Sequence, residues 1–293
     1  LCVYVLVDVG SGVSDGETID FEITSPNSDV VVTTSTVGPG SAIGLTGSTT
    51  VNAAELNQSG YHWRNDDGDE SGATSATAGV PNTTLLNVFQ NSTQRVRMAV
   101  ANDGGLSLSG SQLRLEYGVK VATCSGVSGW ERVDTGVAFN MASTSQLTEG
   151  DDTTDIADGV GGVPNPATTF ITTNGAEKED DDQLSALTID VDEFVEVEYA
   201  LEVTDQAAFG ATYCFRLTNA GTPLETYTNF PEMVIQERQD FFIQRGTETV
   251  SGTSTTLVAG VDYTAPSASS SAFIRITNTS MMGAGSDTLG STR

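Results

Sequence analysis

The chain has 293 residues, with 39 Asp and Glu against 12 Lys and Arg and a formal net charge of -27. That balance excludes a nucleic-acid surface, which needs clustered cations to displace counterions, and it disfavours docking on an anionic membrane. Only 17% of residues are charged and 38% are hydrophobic, which suits exposed β faces and turns, and no run of 18 apolar residues predicts a membrane span.

The first predicted element is a strand over 3–9. Leu1, Val3, Val5, Val7 and Val9 alternate with Cys2, Tyr4, Leu6 and Asp8, giving one strongly apolar face. The segment lacks the cationic front and small-residue cleavage site of a signal peptide, so it reads as a chain whose leader is already removed, or as a piece of a longer polypeptide. Both fit export. Cys2 reads as a small apolar strand residue, with a dimer-forming or lipid-bearing thiol as the alternative. Strands over 18–24 and 30–34 follow.

The acidic run Asn65-Asp66-Asp67-Gly68-Asp69-Glu70 comes next. Asp66, Asp67, Asp69 and Glu70 are the best calcium candidates, because calcium takes six to eight oxygens from flexible loops. The run departs from the known loop register, so a solvated acidic surface is the competing reading. No other cofactor is implied. His62, the sole histidine, reads as a strand residue near the core edge.

Strands over 94–100 and 112–121 show period-two alternation. Leu113, Leu115, Tyr117, Val119 and Val121 share one face and Arg114, Glu116 and Lys120 the other. One face should pack and the other meet water, as in an antiparallel sandwich. The region 136–187, rich in Thr, Asp and Gly, predicts extended loops with short strands. The strand 194–204 repeats the alternation, with Glu196, Glu198 and Glu202 on the expected wet face. Strands over 212–218, 232–236, 241–245 and 272–277 complete the series. The fold class is all-β, an antiparallel sandwich. A central domain, 58–236, lies between short β segments, 1–57 and 237–293, which are thin enough to need each other or a neighbouring copy.

Cys124 and Cys214 each lie beside a strand of the central domain and predict a disulfide, worth roughly 4–5 kcal/mol in the loop-entropy account. Two buried free thiols are the alternative. The tripeptides beginning at Asn57, Asn82, Asn91 and Asn278 fit glycan acceptor sites.

The segment Thr212-Tyr213-Cys214-Phe215-Arg216-Leu217-Thr218-Asn219-Ala220-Gly221 resembles the penultimate strand of fibronectin type III and related immunoglobulin-like domains. The resemblance implies that the Tyr213 hydroxyl ties down the preceding corner. Over most of 60–280 the chain resembles uncharacterised modular extracellular surface proteins of uncultured bacteria. Tyr61-His62-Trp63-Arg64-Asn65-Asp66-Asp67-Gly68, Leu113-Arg114-Leu115-Glu116-Tyr117, Tyr213-Cys214-Phe215-Arg216 and Ile243-Gln244-Arg245-Gly246-Thr247 carry that likeness. It implies repeated extracellular β modules and nothing catalytic.

These readings converge on a secreted, non-enzymatic subunit of an extracellular filament or cell-surface assembly. Leu1, Val3, Tyr4, Val5, Leu6, Val7 and Val9 form its candidate donor strand, and copies of the chain are its partners. An ordinary first strand of its own domain is the plainer reading of that segment. The competing class is an adhesin or carbohydrate-binding module for a surface glycan or host ligand, with an aromatic site around Trp63 or Trp130.

Overall fold

A computed structural model describes residues 13–29, 33–34, 41–44, 47–167 and 169–236, together with the short strands Phe241–Phe242, Arg275–Asn278 and Asp287–Thr288. The expected strand at 3–9, residues 30–32 of the strand expected over 30–34, Cys2 and the whole candidate donor strand lie outside the described residues. The chain divides into two compact units, Leu1–Gln236 and Glu237–Arg293. The break coincides with the boundary expected at 236. At the other expected boundary, the strand Leu56–Arg64 runs continuously across position 57.

The larger unit is a β-sandwich. One sheet orders Phe139–Met141, Glu193–Val203, Ser92–Asn102, Leu56–Arg64 and Thr226–Tyr227, with Thr169–Phe170 and Glu177–Lys178 also paired to Glu193–Val203. The second orders Glu131–Arg132, Leu113–Val119, Thr212–Asn219, Glu232–Ile235 and Leu85–Val88, with Thr222–Pro223 beside Thr212–Asn219. Taken in chain order, the long strands divide between the sheets as A, B and E of an immunoglobulin-like sandwich on one side and C, F and G on the other. The all-β, immunoglobulin-like expectation therefore holds.

Alternation explains the core. Trp63, Val96 and Tyr199 lie side by side on three neighbouring strands, as do Tyr61, Met98 and Val197, and all face the second sheet. From that sheet come Leu115, Tyr117, Phe215 and Leu217, so that Trp63 meets Phe215 edge-on at 5.5 Å. Tyr213 points inward beside Phe139, 4.9 Å away, and its hydroxyl accepts the Ala208 N–H at 2.9 Å. This is the corner tie the resemblance implied.

The expectation that each sheet has a wet outer face is corrected. Between Leu113–Val119 and Glu193–Val203 runs a long insertion containing the short strands expected there. Its first part lies over the outer face of one sheet, fixed by Cys124–Cys214, and its later part lies over the other sheet. The insertion has few ladder bonds, so acidic side chains anchor its backbone instead. Asp152 Oδ1 accepts Asn174 N–H and Gly175 N–H, Glu149 Oε2 accepts Glu179 N–H and Asp180 N–H, and Glu177 accepts Thr148 N–H.

Toward the N-terminus, Thr18–Ile19 pairs with Thr49–Thr50 and Glu22–Ile23 with Ile43–Gly44, so two short strands occupy the single strand expected over 18–24. In the smaller unit Arg275–Asn278 pairs antiparallel with Phe241–Phe242 and Asp287–Thr288.

Candidate functional site

The first constellation is a layer of charge beneath the insertion. Neighbouring strands place His62, Arg97 and Glu198 in one row, Arg64, Arg95 and Ala200 in the next, and Gly60, Ala99 and Glu196 in a third. Like charges directly opposite repel, so Arg64 beside Arg95 needs an anion between them. Glu198 supplies it: its carboxylate lies 2.5 Å from Arg64, 2.6 Å from Arg95 and 3.1 Å from Arg97. Arg97 also pairs with Glu196 and Glu70. Three guanidinium groups thus meet Glu198, Glu196 and Glu70, with Asp66 3.8 Å from Arg95 at the edge of the layer, and all but Glu70 and Asp66 are fully buried. Burial alone would lower Arg97, but Glu196, Glu198 and Glu70 hold it charged. Burial pushes Glu196 up to about 7, against the pull of Arg97.

His62 belongs to this layer and not to the core edge, because it is fully buried. Its Nδ1–H donates to the Gly162 carbonyl at 2.8 Å, so Nε2 accepts the Ser75 hydroxyl at 2.7 Å. Burial lowers its pKa and keeps the ring neutral. A serine hydroxyl on a histidine has the connectivity of a nucleophile and its base. Here, however, Ser75 Oγ also accepts Thr77 N–H and Gly79 N–H, at 3.1 and 2.8 Å, which occupies both lone pairs. Its chemistry is that of a loop anchor. The insertion closes over it at Gly162, where an added Cβ would come within 1.8 Å of Ile156 O.

The acidic run is anchored residue by residue. Asp66 accepts the Thr144 hydroxyl at 2.9 and 2.8 Å, and Asp67 accepts Thr74 N–H at 2.8 Å and its hydroxyl. Asp69 accepts Gly72 N–H and Ser71 Oγ, and Glu70 takes both the N–H and hydroxyl of Thr154. Hydrogen bonds from Thr74 hold Asp67 below the usual carboxylate range, and those from Gly72 and Ser71 do the same for Asp69. The four carboxylates face four different donor sets and are not brought together. Asp134, Asp181 and Asp182 do converge, but Arg132 already holds Asp182 through two nitrogens.

The second constellation lies outside the other sheet. Cys124 and Cys214 are joined, with Cα atoms 5.5 Å apart. Cys214 immediately follows the inward Tyr213 and so points outward, which makes the bond a brace for the 120–130 loop and not a link through the sandwich. Around it Lys120 forms a two-pronged pair with Glu232 at 2.8 and 2.7 Å, and Arg216 joins Glu116. Trp130 has the Arg216 guanidinium 4.4 Å over its ring and Phe230 stacked against it, and Phe230 stacks in turn on Tyr227. Beside this aromatic column opens a cleft of about 330 Å³.

The aromatic site expected around Trp63 is corrected: Trp63 is fully buried and its Nε1–H donates to Glu232 O, so it offers no surface. Trp130 stays half-buried at the flank of the cleft. No family model matches the chain, and no curated protein matches it.

The remaining candidate residues are distributed over the molecule. Asn82 and Asn91 are exposed with left-handed backbone, φ 53° and 58°. Asn57 is half-buried and donates to Asp103 Oδ2, and Asn278 lies on the strand Arg275–Asn278. No helix among the described residues is long and apolar enough to cross a membrane.

Sequence reasoning missed the buried layer. Its signal was present: an acidic chain with few cations places Arg95 and Arg97 two apart on one strand and Glu196 and Glu198 two apart on another. Phe230 carried no signal, because only tertiary contacts bring it beside Trp130.

Proposed function

We propose that the chain is an architectural module of an extracellular or cell-surface assembly. One observation carries the reading: the cations of the larger unit are engaged in ion pairs within it. All eight Lys and Arg before residue 237 are ion-paired to carboxylates, three of them in the buried layer. A disulfide fixes the outer loop, which suits an oxidising compartment. These groups hold one another in place, as a load-carrying module requires.

Assembly proceeds through the flanks in this reading. The sandwich itself is bordered by the short strands Glu131–Arg132, Leu85–Val88, Phe139–Met141 and Thr226–Tyr227, and short edges resist strand addition. The segment 1–9, whose sequence alternation predicts an apolar strand face, is the proposed donor that completes a neighbouring copy. Electron microscopy of the full chain tests this. Filaments are expected, and discrete particles at high concentration would overturn it. Deleting residues 1–9 should abolish polymerisation; undiminished filaments would remove strand insertion as the mechanism.

A further inference from the structure

We infer that the cleft beside the Cys124–Cys214 bridge is a binding site for an uncharged saccharide. The inference is independent of the architectural role and rests on what the cleft offers a ligand. Its lining is mostly neutral and hydrogen-bonding: Asn82, Thr84, Thr123, Ser125, Thr228 and Asn229. Phe230 supplies the apolar part of the wall with its ring edge, since stacking on Tyr227 at 5.0 Å and Trp130 at 6.1 Å takes up its faces. The volume, about 330 Å³, lies within the range of small-ligand clefts.

Charge narrows the ligand class. The charged side chains in the lining, Lys120 and Glu232, neutralise each other through two contacts, at 2.8 and 2.7 Å. An anionic ligand would meet a lysine already paired with Glu232, within a unit holding 34 acidic and 8 basic residues. A cationic ligand would have to displace Lys120 from Glu232. What remains is a neutral molecule with many hydroxyl groups and one apolar face, and a pyranose ring has that form.

The polar groups are also fixed before any ligand arrives. Asn82 Oδ1 accepts the Tyr61 N–H at 2.9 Å, and Asn229 Nδ2 donates to Ser59 O at 2.7 Å, which sets both amide planes. Thr228 Oγ1 donates to Asn57 Oδ1 at 3.0 Å. Thr123 and Ser125 flank Cys124, so the disulfide holds that rim against the sheet. Groups ordered in advance lose little entropy on binding.

The test is calorimetric titration of the full chain with neutral hexasaccharides (cellohexaose, maltohexaose, laminarihexaose and chitohexaose) and with anionic hexagalacturonate. At least one neutral sugar should bind and hexagalacturonate should not. Phe230→Ala should weaken binding at least about tenfold. Ser125→Trp, at an exposed loop position, should block the cleft without disturbing the fold, and it decides the matter if Phe230→Ala does not fold. Absence of binding to every neutral sugar at millimolar concentration would overturn the inference. So would binding that survives Ser125→Trp, or stronger binding of the anionic sugar. Filament formation, read separately by microscopy, should be unchanged in Ser125→Trp, so the two proposals fail independently.

Discussion

Replacing Glu198 by Gln removes the anion shared by three arginines, and the geometry sets the expected cost. Its carboxylate lies within 3.1 Å of Arg64, Arg95 and Arg97, and none of the four side chains is exposed. Without it, the buried Arg64 loses the carboxylate it pairs with, and Arg95 keeps Asp66, 3.8 Å away. Removing one partner of a buried pair costs about 3–5 kcal/mol. For a unit of this size each kcal/mol shifts the midpoint by roughly 2–4 °C, so Tm should fall by about 6–20 °C. Thermal and urea unfolding followed by circular dichroism measure this. Glu202→Gln is the control: Glu202 lies on the same strand but is half-buried and outside the layer, so its loss should stay within about 0.5 kcal/mol. Because the layer is buried, molar salt should leave the difference between the two variants nearly intact. A Glu198→Gln loss below about 1 kcal/mol would refute the reasoning, since it would mean that water already shields the arginines.

Further predictions follow from the same structure. Burial raises Glu196 from its ordinary 4.5 to about 7, so the folded chain holds an extra proton between those values. The stability this contributes is complete below the unfolded pKa and is lost as pH rises through about 7. Glu196→Gln should therefore flatten the decline in unfolding free energy between pH 4.5 and about 7, and an unchanged slope would count against it. Replacing both Cys124 and Cys214 by Ala should cost about 2–5 kcal/mol in urea unfolding. Gly162→Ala, which would force a Cβ to within 1.8 Å of Ile156 O, should displace the segment over His62 and speed amide exchange in the insertion.

Strand positions were legible in the sequence because a pleated strand with one packed face imprints a period of two, as in Leu113–Val119 and Glu193–Val203. The Cys124–Cys214 bond and the Tyr213 corner were legible too, since each depends on the place of one side chain on a strand. Alternation identifies two faces, but it does not say what covers the second one. Glu196 and Glu198 read as solvated for that reason. They are buried because an insertion with little apolar periodicity lies over them, held by carboxylate-to-backbone bonds that leave no periodic trace. The cleft was equally hidden: Asn82, Ser125 and Phe230 are far apart in the chain, and only the sandwich and its disulfide bring them to one wall. Local chemistry and strand pattern are written along the chain, whereas burial and proximity depend on which distant segments pack against one another.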